Sequence, residues 1–547
     1  MRAGATFPVR VTSEMTTTRG TMRRLVTTAV ALALMGGAAL FAPAVAADHH
    51  RPTGPGTTRV PTPAEALELA PEPALPEFGD PTASQTLATA RRVMSGDALP
   101  RDPSATLVLR DLWLKKSELR GTERRQADAL LARPTDGVGD PQGFGYTAPE
   151  AAPICNTRLC LHYVTTGPDA PPSPEWPAQN LAVMDSVWTT IVDQMGYRAP
   201  LTDGTKGGSA LFDVYLKDLG GDIYGFCAGE KRVKKRTGYG YCVLDNDFAA
   251  AQFPTGTPTD NLVVTAAHEF FHAVQYAYDY AEDPWMMEST ATWMEERIAT
   301  QVNDNRQYFP WSQIYAPYVP LDAFSRNAGY QYGNWVFWEY LSTQYGVSIV
   351  KKAWDQAGSL KGDGDKYSIT ALQKVLKHKG GLEKVYAKFA AGNLTPAGTY
   401  PEGAEYAAPK VRGAKRLSKG KRDKRYGVKI NHLASASYVY VPGKGLDAKK
   451  WKLSVAVDGP VKQTSPAAVV VVHRLDGTRQ VKKVGLNGGG NGSIKVSFDG
   501  RKVGAVSVTL VNGSTRYQCN KRTALACAGR PLDDKAHFSV TGRVVKG

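Results

Sequence analysis

Hydrophobic and polar positions follow two different patterns in the middle of the chain. Between residues 151 and 260, β-favouring runs such as LCLHYVTTG and ALFDVYLKDLGG end at glycine and predict strands. From residue 261 to residue 390, four longer stretches, beginning with NLVVTAAHEFFHAVQYAYDY, predict mainly helices. Strands followed by helices indicate an α+β domain, which we assign to residues 151–400.

A further β pattern begins after residue 430. Five short runs recur there, namely ASYVYV, KLSVAV, AAVVVVHRL, SIKVSF and AVSVTLV, and two Asn-Gly pairs supply turn residues. This spacing predicts an all-β sandwich over residues 431–547. The preceding stretch, residues 401–430, is basic and has no apolar periodicity, so we interpret it as a linker.

The N-terminal part has the pattern of an export signal. Met22 and two arginines precede an apolar run from Leu25 to Phe41, and Ala44-Val45-Ala46 follows as a cleavage signal. We predict a signal peptide at residues 1–46 with Met22 as the start, the alternative being an uncleaved anchor. No later segment of the sequence is apolar enough to span a membrane, so the mature protein is expected to be secreted.

Residues 47–150 form a lead-in rich in proline and alanine, followed by a helix-prone segment. Leucines at positions 107, 109, 112 and 114 supply apolar contacts, and ERRQADALLAR favours a helix. In an exported hydrolase, such a segment suggests a pro-region and therefore a zymogen. The alternative is a helix that packs permanently on the next domain, and the sequence leaves both open.

Charge and cysteine usage refine this picture. The chain has a net charge of +16, but residues 401–547 carry 29 basic and 9 acidic residues, so the excess belongs to the C-terminal part. Such a region suits an anionic cell-surface polymer, the alternative being a solvated linker and a soluble accessory domain, whereas nucleic acid is not expected because clustered aromatic residues are missing. The six cysteines fall into close pairs, which predict disulfides rather than metal ligands: Cys155/Cys160, Cys227/Cys242 and Cys519/Cys527.

One short motif contains the strongest candidates for functional residues. His268 and His272 lie four residues apart, and Glu269 follows the first directly. On a helix, residues four apart share one face, so both imidazoles can bind one Zn²⁺ ion. Glu269 lies about 100° around that helix and can reach a metal-bound water as a general base. The alternative, a core helix with two structural histidines, offers no role for a third ligand.

The next predicted helix extends this pattern into a family resemblance. The run Trp285–Glu295 matches in step the W-L-N-E-G-x-A-x-Y-x-E run of aminopeptidase-N-like peptidases. An HExxH helix followed by a glutamate-bearing helix resembles the gluzincins, among them the thermolysin-like peptidases, and secreted bacterial metalloproteases with HEFFHAVQ-like helices. This resemblance implies a zincin-like catalytic domain, one Zn²⁺ ion and Glu288 as third ligand, with Glu295 as fallback. Thr292 replaces the aspartate that orients a histidine in thermolysin-like peptidases.

Two further comparisons with these peptidases concern the substrate. NAGYQYGNWVFWEYL resembles the Y-x-K-G segment whose tyrosine stabilises an oxyanion, which implies that role for Tyr330, with Tyr332 as next candidate and packing as the alternative. The G-x-M-E-N element that binds a free amine in aminopeptidases is missing. We therefore expect an endopeptidase acting on proteins or peptides, with the strand around Tyr241–Leu244 as an edge for the substrate. The alternatives are an aminopeptidase and an inactive surface-binding scaffold.

Overall fold

The computed structural model describes residues 81–95, 105–136, 144–326 and 328–547. The predicted signal peptide and most of the lead-in lie outside these residues. The described chain contains helices and mixed sheets followed by a β-rich C-terminal region, so the predicted α+β class is confirmed at this level. Within the same residues, no helix is long and apolar enough to cross a lipid bilayer.

Among the described residues, three α-helices precede the domain that the sequence predicts to be catalytic: α1 (Ala83–Met94), α2 (Ala105–Lys115) and α3 (Gly121–Leu130). The side chains of Leu107, Leu109 and Leu112 on α2 are fully buried and belong to the core of the following domain. The segment therefore packs on that domain, an arrangement that a pro-region and a permanent N-terminal helix would share.

A five-stranded sheet forms the first layer of the domain. Its strands lie in the order β1, β2, β3, β5, β4, with β2, β3 and β5 parallel and the two outer strands antiparallel to their neighbours. Helix α4 (Trp176–Trp188) connects β2 towards β3. The strands are β1 (Ile154–Cys155), β2 (Leu159–His162), β3 (Phe212–Lys217), β4 (Gly225–Lys234) and β5 (Thr237–Asp245).

The sheet order corrects one sequence prediction. Tyr241–Leu244 lies in β5, which is hydrogen-bonded on both sides, to β3 and to β4. This strand therefore has no free edge for a peptide, and the edge strands of the sheet are β1 and β4. The sequence could not show this, because which strand lies at the edge is decided by pairing between distant segments.

Helices fill most of the remaining domain. Helix α5 begins at a capping box in which Thr257 and Asp260 satisfy each other's backbone amides, with Pro258 in the first turn. The α5 helix is buried on nearly all sides and packs against α6 and the sheet. The helices are α5 (Pro258–Tyr276), α6 (Pro284–Ile298), α7 (Tyr330–Gly333), α8 (Trp335–Tyr345), α9 (Ser348–Ala357), α10 (Ser368–Leu376) and α11 (Leu382–Gly392).

Three disulfides join the cysteine pairs predicted from the sequence, which confirms the pairing. Cys155 with Cys160 links β1 to β2, and Cys227 with Cys242 links β4 to β5. Cys519 with Cys527 closes a loop in the C-terminal region. The described residues include no free cysteine.

The C-terminal region consists of two sheets with a common apolar core. One sheet has the order β11, β10, β13, β8, β6, the other β12, β9, β16, β7, and a short pair, β14 with β15, lies apart. The strands are β6 (Gly413–Leu417), β7 (Asp423–Ile430), β8 (Ala434–Pro442), β9 (Trp451–Asp458), β10 (Pro466–Arg474), β11 (Arg479–Lys483), β12 (Asn491–Ser497), β13 (Val503–Asn512), β14 (Tyr517–Gln518), β15 (Arg530–Pro531) and β16 (Ala536–Lys546).

The predicted basic linker at residues 401–430 is wrong, because most of its second half is folded into this region. Strands β6 and β7 each form the edge of one of the two sheets. Edge strands expose much of their length to water and commonly carry charged residues, which explains why the apolar alternation of a strand is weak here. The sequence pattern therefore placed the start of the β region too late.

A buried ion pair joins the C-terminal region to the helical part. His432 Nε2 lies 2.9 Å from Asp322 Oδ1, and the Tyr517 hydroxyl donates to the other oxygen of Asp322 at 2.7 Å. Burial alone would lower the pKa of His432, but the carboxylates of Asp322 and Asp534 outweigh it and raise the pKa to about 9. His432 is therefore charged at neutral pH, and its charge stabilises the junction.

This charge predicts a pH dependence of stability. A histidine whose pKa is higher in the folded than in the unfolded protein stabilises the fold fully below about pH 6.5 and loses that contribution as pH rises through about 9. We expect the free energy of unfolding in urea to fall by on the order of 3 kcal/mol across this range. The variant His432→Gln should show a flatter profile. His473→Gln is the matched control, since burial lowers the pKa of His473 to about 4 and leaves it neutral throughout.

Candidate metal centre

Two helices bring three side chains to one point. His268 and His272 project from α5, and Glu288 projects from α6. His268 Nε2 lies 3.2 Å from Glu288 Oε2, and His272 Nε2 lies 3.7 Å from Glu288 Oε1. One ligand atom from each residue falls within a group in which all distances are at most 4.8 Å. The structure thus brings together the three residues that the sequence analysis named as metal ligands.

The donor set fits a Zn²⁺ ion. Two imidazole nitrogens and one carboxylate oxygen are one of the three-ligand sets found in catalytic zinc sites. His272 Nε2 is buried, and among the described residues no hydrogen-bond partner lies in reach of it. A buried nitrogen of this kind is costly unless a hydrogen bond or a metal satisfies it. Burial also lowers the pKa of His272 to about 4, so the ring is neutral at pH 7, as a ligand must be.

Each histidine is held by a second contact on its other ring nitrogen. His268 Nδ1 lies 2.6 Å from Glu295 Oε1, and His272 Nδ1 lies 2.8 Å from Gln275 Oε1. In both contacts the oxygen can accept a hydrogen bond from a proton held on Nδ1, and both Nε2 atoms remain directed toward Glu288. Glu295, named as the fallback ligand from the sequence, is therefore placed behind His268 in the role of an orienting carboxylate.

Gln275 is a functional residue of this site that the HExxH motif does not include. Its amide group donates to the Met287 carbonyl at 2.9 Å and to the Thr290 hydroxyl at 3.2 Å, while its oxygen faces His272. It thus connects one ligand on α5 to the backbone next to the ligand on α6. The available signal was its position three residues after His272, which places both on one helix face.

Removing this connection should weaken metal binding. We expect Gln275→Leu to lower zinc affinity by about 10- to 100-fold, since outer partners of metal-bound histidines contribute about that much. Competition with a fluorescent zinc chelator measures the change. Gln275→Glu is the matched control, because it keeps an oxygen for His272 and should lose less affinity than the leucine variant. Equal affinity in all three proteins would show that Gln275 does not support the site.

Glu269 lies beside the ligands on α5, and 7% of its surface is exposed. Its Oε2 accepts a hydrogen bond of 2.7 Å from the Thr106 hydroxyl on α2. Burial raises the pKa of Glu269 to about 7, although His268 and Thr106 act in the opposite direction. A carboxyl group with a pKa near neutrality can both take and return a proton, as a general acid–base residue must.

The two candidate tyrosines face different surroundings. The Tyr332 ring centroid lies 6.2 Å from that of His268, and the ring stacks on Tyr308 at 4.8 Å. Tyr330 packs instead against a small apolar cluster made by Ala316, Val319 and Ala323. Positions two apart on a helix point about 200° away from each other, so only one of the two can face the metal site. The structure brings Tyr332, and not Tyr330, next to a ligand.

Comparisons with known proteins add a family match and a number of structural matches. Residues 233–377, which include His268, Glu269, His272 and Glu288, match the family described as "Family of unknown function (DUF6055)". No curated protein matches this chain.

The structural matches include two remote proteins. The pre-peptidase C-terminal domain of collagenase from Bacillus anthracis has 9% identity, covering 24% of this chain and 94% of its own, with a TM-score of 0.15. The GH115 4-O-methyl-α-glucuronidase BtGH115A has 7% identity, covering 65% of this chain and 54% of its own, with a TM-score of 0.13. At these scores neither neighbour supports an argument about fold or activity.

Proposed function

We propose that this protein is a secreted zinc endopeptidase. The observation that carries the proposal is the convergence of His268, His272 and Glu288, with Glu269 beside them on the same helix. When bound, a zinc ion supplies a Lewis acid that lowers the pKa of water and polarises a carbonyl group. Three disulfides are in keeping with an oxidising compartment outside the cytosol.

The side chains around the ligands supply the proton transfers of peptide hydrolysis. Glu269 takes a proton from the attacking water while the water oxygen bonds to the scissile carbonyl carbon. It then gives this proton to the leaving nitrogen as the C–N bond breaks, which restores the carboxylate. We assign the hydroxyl that stabilises the negative charge on the carbonyl oxygen to Tyr332 in place of Tyr330, because the Tyr332 ring lies beside that of His268.

Internal cleavage is favoured over removal of N-terminal residues because the sequence offers no counterpart of the amine-binding G-x-M-E-N element. The test is digestion of an unbiased peptide mixture by the zinc-loaded protein, by the chelator-treated protein and by the same protein after zinc is restored. Internal cuts that disappear with the metal and return with it would support the proposal. Cuts confined to N-terminal residues would indicate an aminopeptidase, and no cuts at all would favour a binding role.

A second candidate function is attachment to an anionic cell-surface polymer. It is favoured by the exposure of eight basic side chains along the β6–β7 edge: Lys415, Arg416, Lys419, Lys421, Arg422, Lys424, Arg425 and Lys429. The one acidic residue within these two strands, Asp423, pairs with Arg543. A row of exposed cations with few counter-charges attracts polyanions, and such binding weakens as salt rises.

Charge-reversal variants test whether polymer binding depends on the β6–β7 edge or only on the net charge of the protein. The variant with Lys419, Lys421 and Lys424 all changed to Glu should lose binding to immobilised poly(glycerol phosphate). The matched control changes the exposed Lys374, Lys377 and Lys384 of the helical part to Glu, which alters net charge by the same amount. Equal loss in both variants would show that the β6–β7 edge is not the binding surface.

A further inference from the structure

Thr106 on α2 contacts two groups that matter for the proposed reaction. Its hydroxyl donates to Glu269 Oε2 at 2.7 Å and accepts from the backbone amide of Cys227 on β4 at 2.8 Å. Thr106 is fully buried, so water does not compete for either contact. One hydroxyl therefore connects the candidate general base to an edge strand of the sheet.

The position of Thr106 is fixed by the rest of α2. The Arg110 guanidinium donates to the Glu282 carbonyl at 3.0 Å and contacts Met287 Sδ at 2.9 Å, on the segment that leads to Glu288. At the other end of α2, the Trp113 ring fills the space above two glycines of the β4–β5 pair. A Cβ atom at Gly229 would lie only 2.5 Å from this ring, which shows how closely helix and strand approach.

A second group of contacts ties the same N-terminal segment to the sheet. The buried Arg133, which follows α3, pairs with Asp203, Asp213 and Glu230. A buried cation with three carboxylates is costly to separate, because each charge would be left without its partner. The segment thus has the contacts of a permanent part of the domain.

We propose that Thr106 is a positioning residue for Glu269, and that residues 105–136 belong to the working enzyme and are not a removable pro-region. The proposal rests on the proposed peptidase function. With Oε2 held by Thr106, Oε1 is the carboxylate oxygen left to exchange a proton with water. A carboxylate fixed in this way needs less rearrangement to reach the transition state.

The same contacts exclude one way in which a peptide substrate could bind. Thr106 occupies the outward amide of Cys227, and the Tyr276 hydroxyl donates to the carbonyl of the same residue at 3.2 Å. An extended peptide therefore cannot pair with β4 at Cys227 while α2 is in place. If α2 were an inhibitory segment that blocks this edge, a variant that weakens its contacts would raise activity. If Thr106 positions Glu269, the same variant must lower activity.

Three variants of the full chain test the proposal. Thr106→Val removes the hydroxyl at nearly constant volume, and Thr106→Ser restores it. Thr86→Val is the matched control, since Thr86 is also buried in the N-terminal helices but its hydroxyl donates only to the Thr82 carbonyl. The readouts are kcat and KM on a cleaved peptide, bound zinc, and hydrogen exchange of the Cys227 amide in the metal-free protein.

We expect Thr106→Val to lower kcat by about 10-fold or more, with KM and bound zinc unchanged, and to accelerate exchange at Cys227. Thr106→Ser should stay close to the wild type in kcat and in exchange. The proposal is overturned if Thr106→Val behaves like Thr86→Val, or if its activity rises. An inactive wild type would overturn the peptidase function itself, whereas an active wild type with an unaffected valine variant would overturn only the role of Thr106.

Discussion

The variant Glu269→Gln is expected to lose about 100- to 10,000-fold in kcat while it still binds zinc, because general acid–base groups typically contribute that much. The amide keeps the shape of the carboxyl group and can still accept from Thr106 at its oxygen, so the fold and the ligand set should stay intact. It cannot take a proton from water. Bound zinc measured by metal analysis, together with kcat on a cleaved peptide, checks both parts of this prediction.

The matched control for this variant is Glu296→Gln. Glu296 lies on α6 and is also almost fully buried. Burial likewise raises the pKa of Glu296 to about 7. Its carboxylate contacts Asn305 and Arg297, not a metal ligand. We expect kcat of this control to remain near that of the wild type. If both variants lost activity equally, Glu269 would have no special role, and the proposed mechanism would have to be abandoned.

Replacing Glu288 by Gln should remove the third ligand and most of the zinc affinity. The loss should exceed the 10- to 100-fold that outer partners of metal ligands contribute, and activity should fall in parallel with bound metal. Titration with a competing chelator gives the affinity, and the activity at saturating zinc shows whether the loss is one of binding alone.

Glu295→Gln distinguishes the two glutamates that the resemblance offered. In the structure Glu295 contacts Nδ1 of His268, so its amide variant should lose only about 10- to 100-fold in affinity. A larger loss in this variant than in Glu288→Gln would show that Glu295 is the ligand and that Glu288 is the supporting residue. Similar losses within that range in both would indicate that neither glutamate binds the metal directly.

Local patterns in the sequence predicted the residues that one helix or one motif brings together. His268 and His272 share a face of α5 because of their spacing, and the in-step run on the next helix indicated Glu288. Gln275 followed the same spacing rule and could have been found in the same way. These relations involve neighbours along one helix or consecutive helices, for which sequence spacing fixes geometry.

Contacts and strand pairings between distant segments could not be predicted from the sequence. Thr106 lies 163 positions before Glu269, and nothing in the pattern of either segment connects them. The edge position of β4, and the inclusion of residues 413–430 in the sandwich, depend on strand pairing across the fold. Tyr330 was assigned by alignment to a motif, whereas the short α7 helix turns Tyr332 toward His268. Strand pairing and side-chain packing between segments far apart in the sequence determine these positions.

Gln275 has a consequence for the order in which the protein matures. By contacting His272 and the Met287 carbonyl at once, it holds the ligands of two helices in place through the chain's own hydrogen bonds. Under the proposed function, metal capture then needs little rearrangement, so we expect folding and metal loading to be separate events. If the protein is the secreted zinc enzyme proposed above, we expect it to fold before it takes up zinc, and removal of the ion with a chelator should leave a folded protein that binds zinc again.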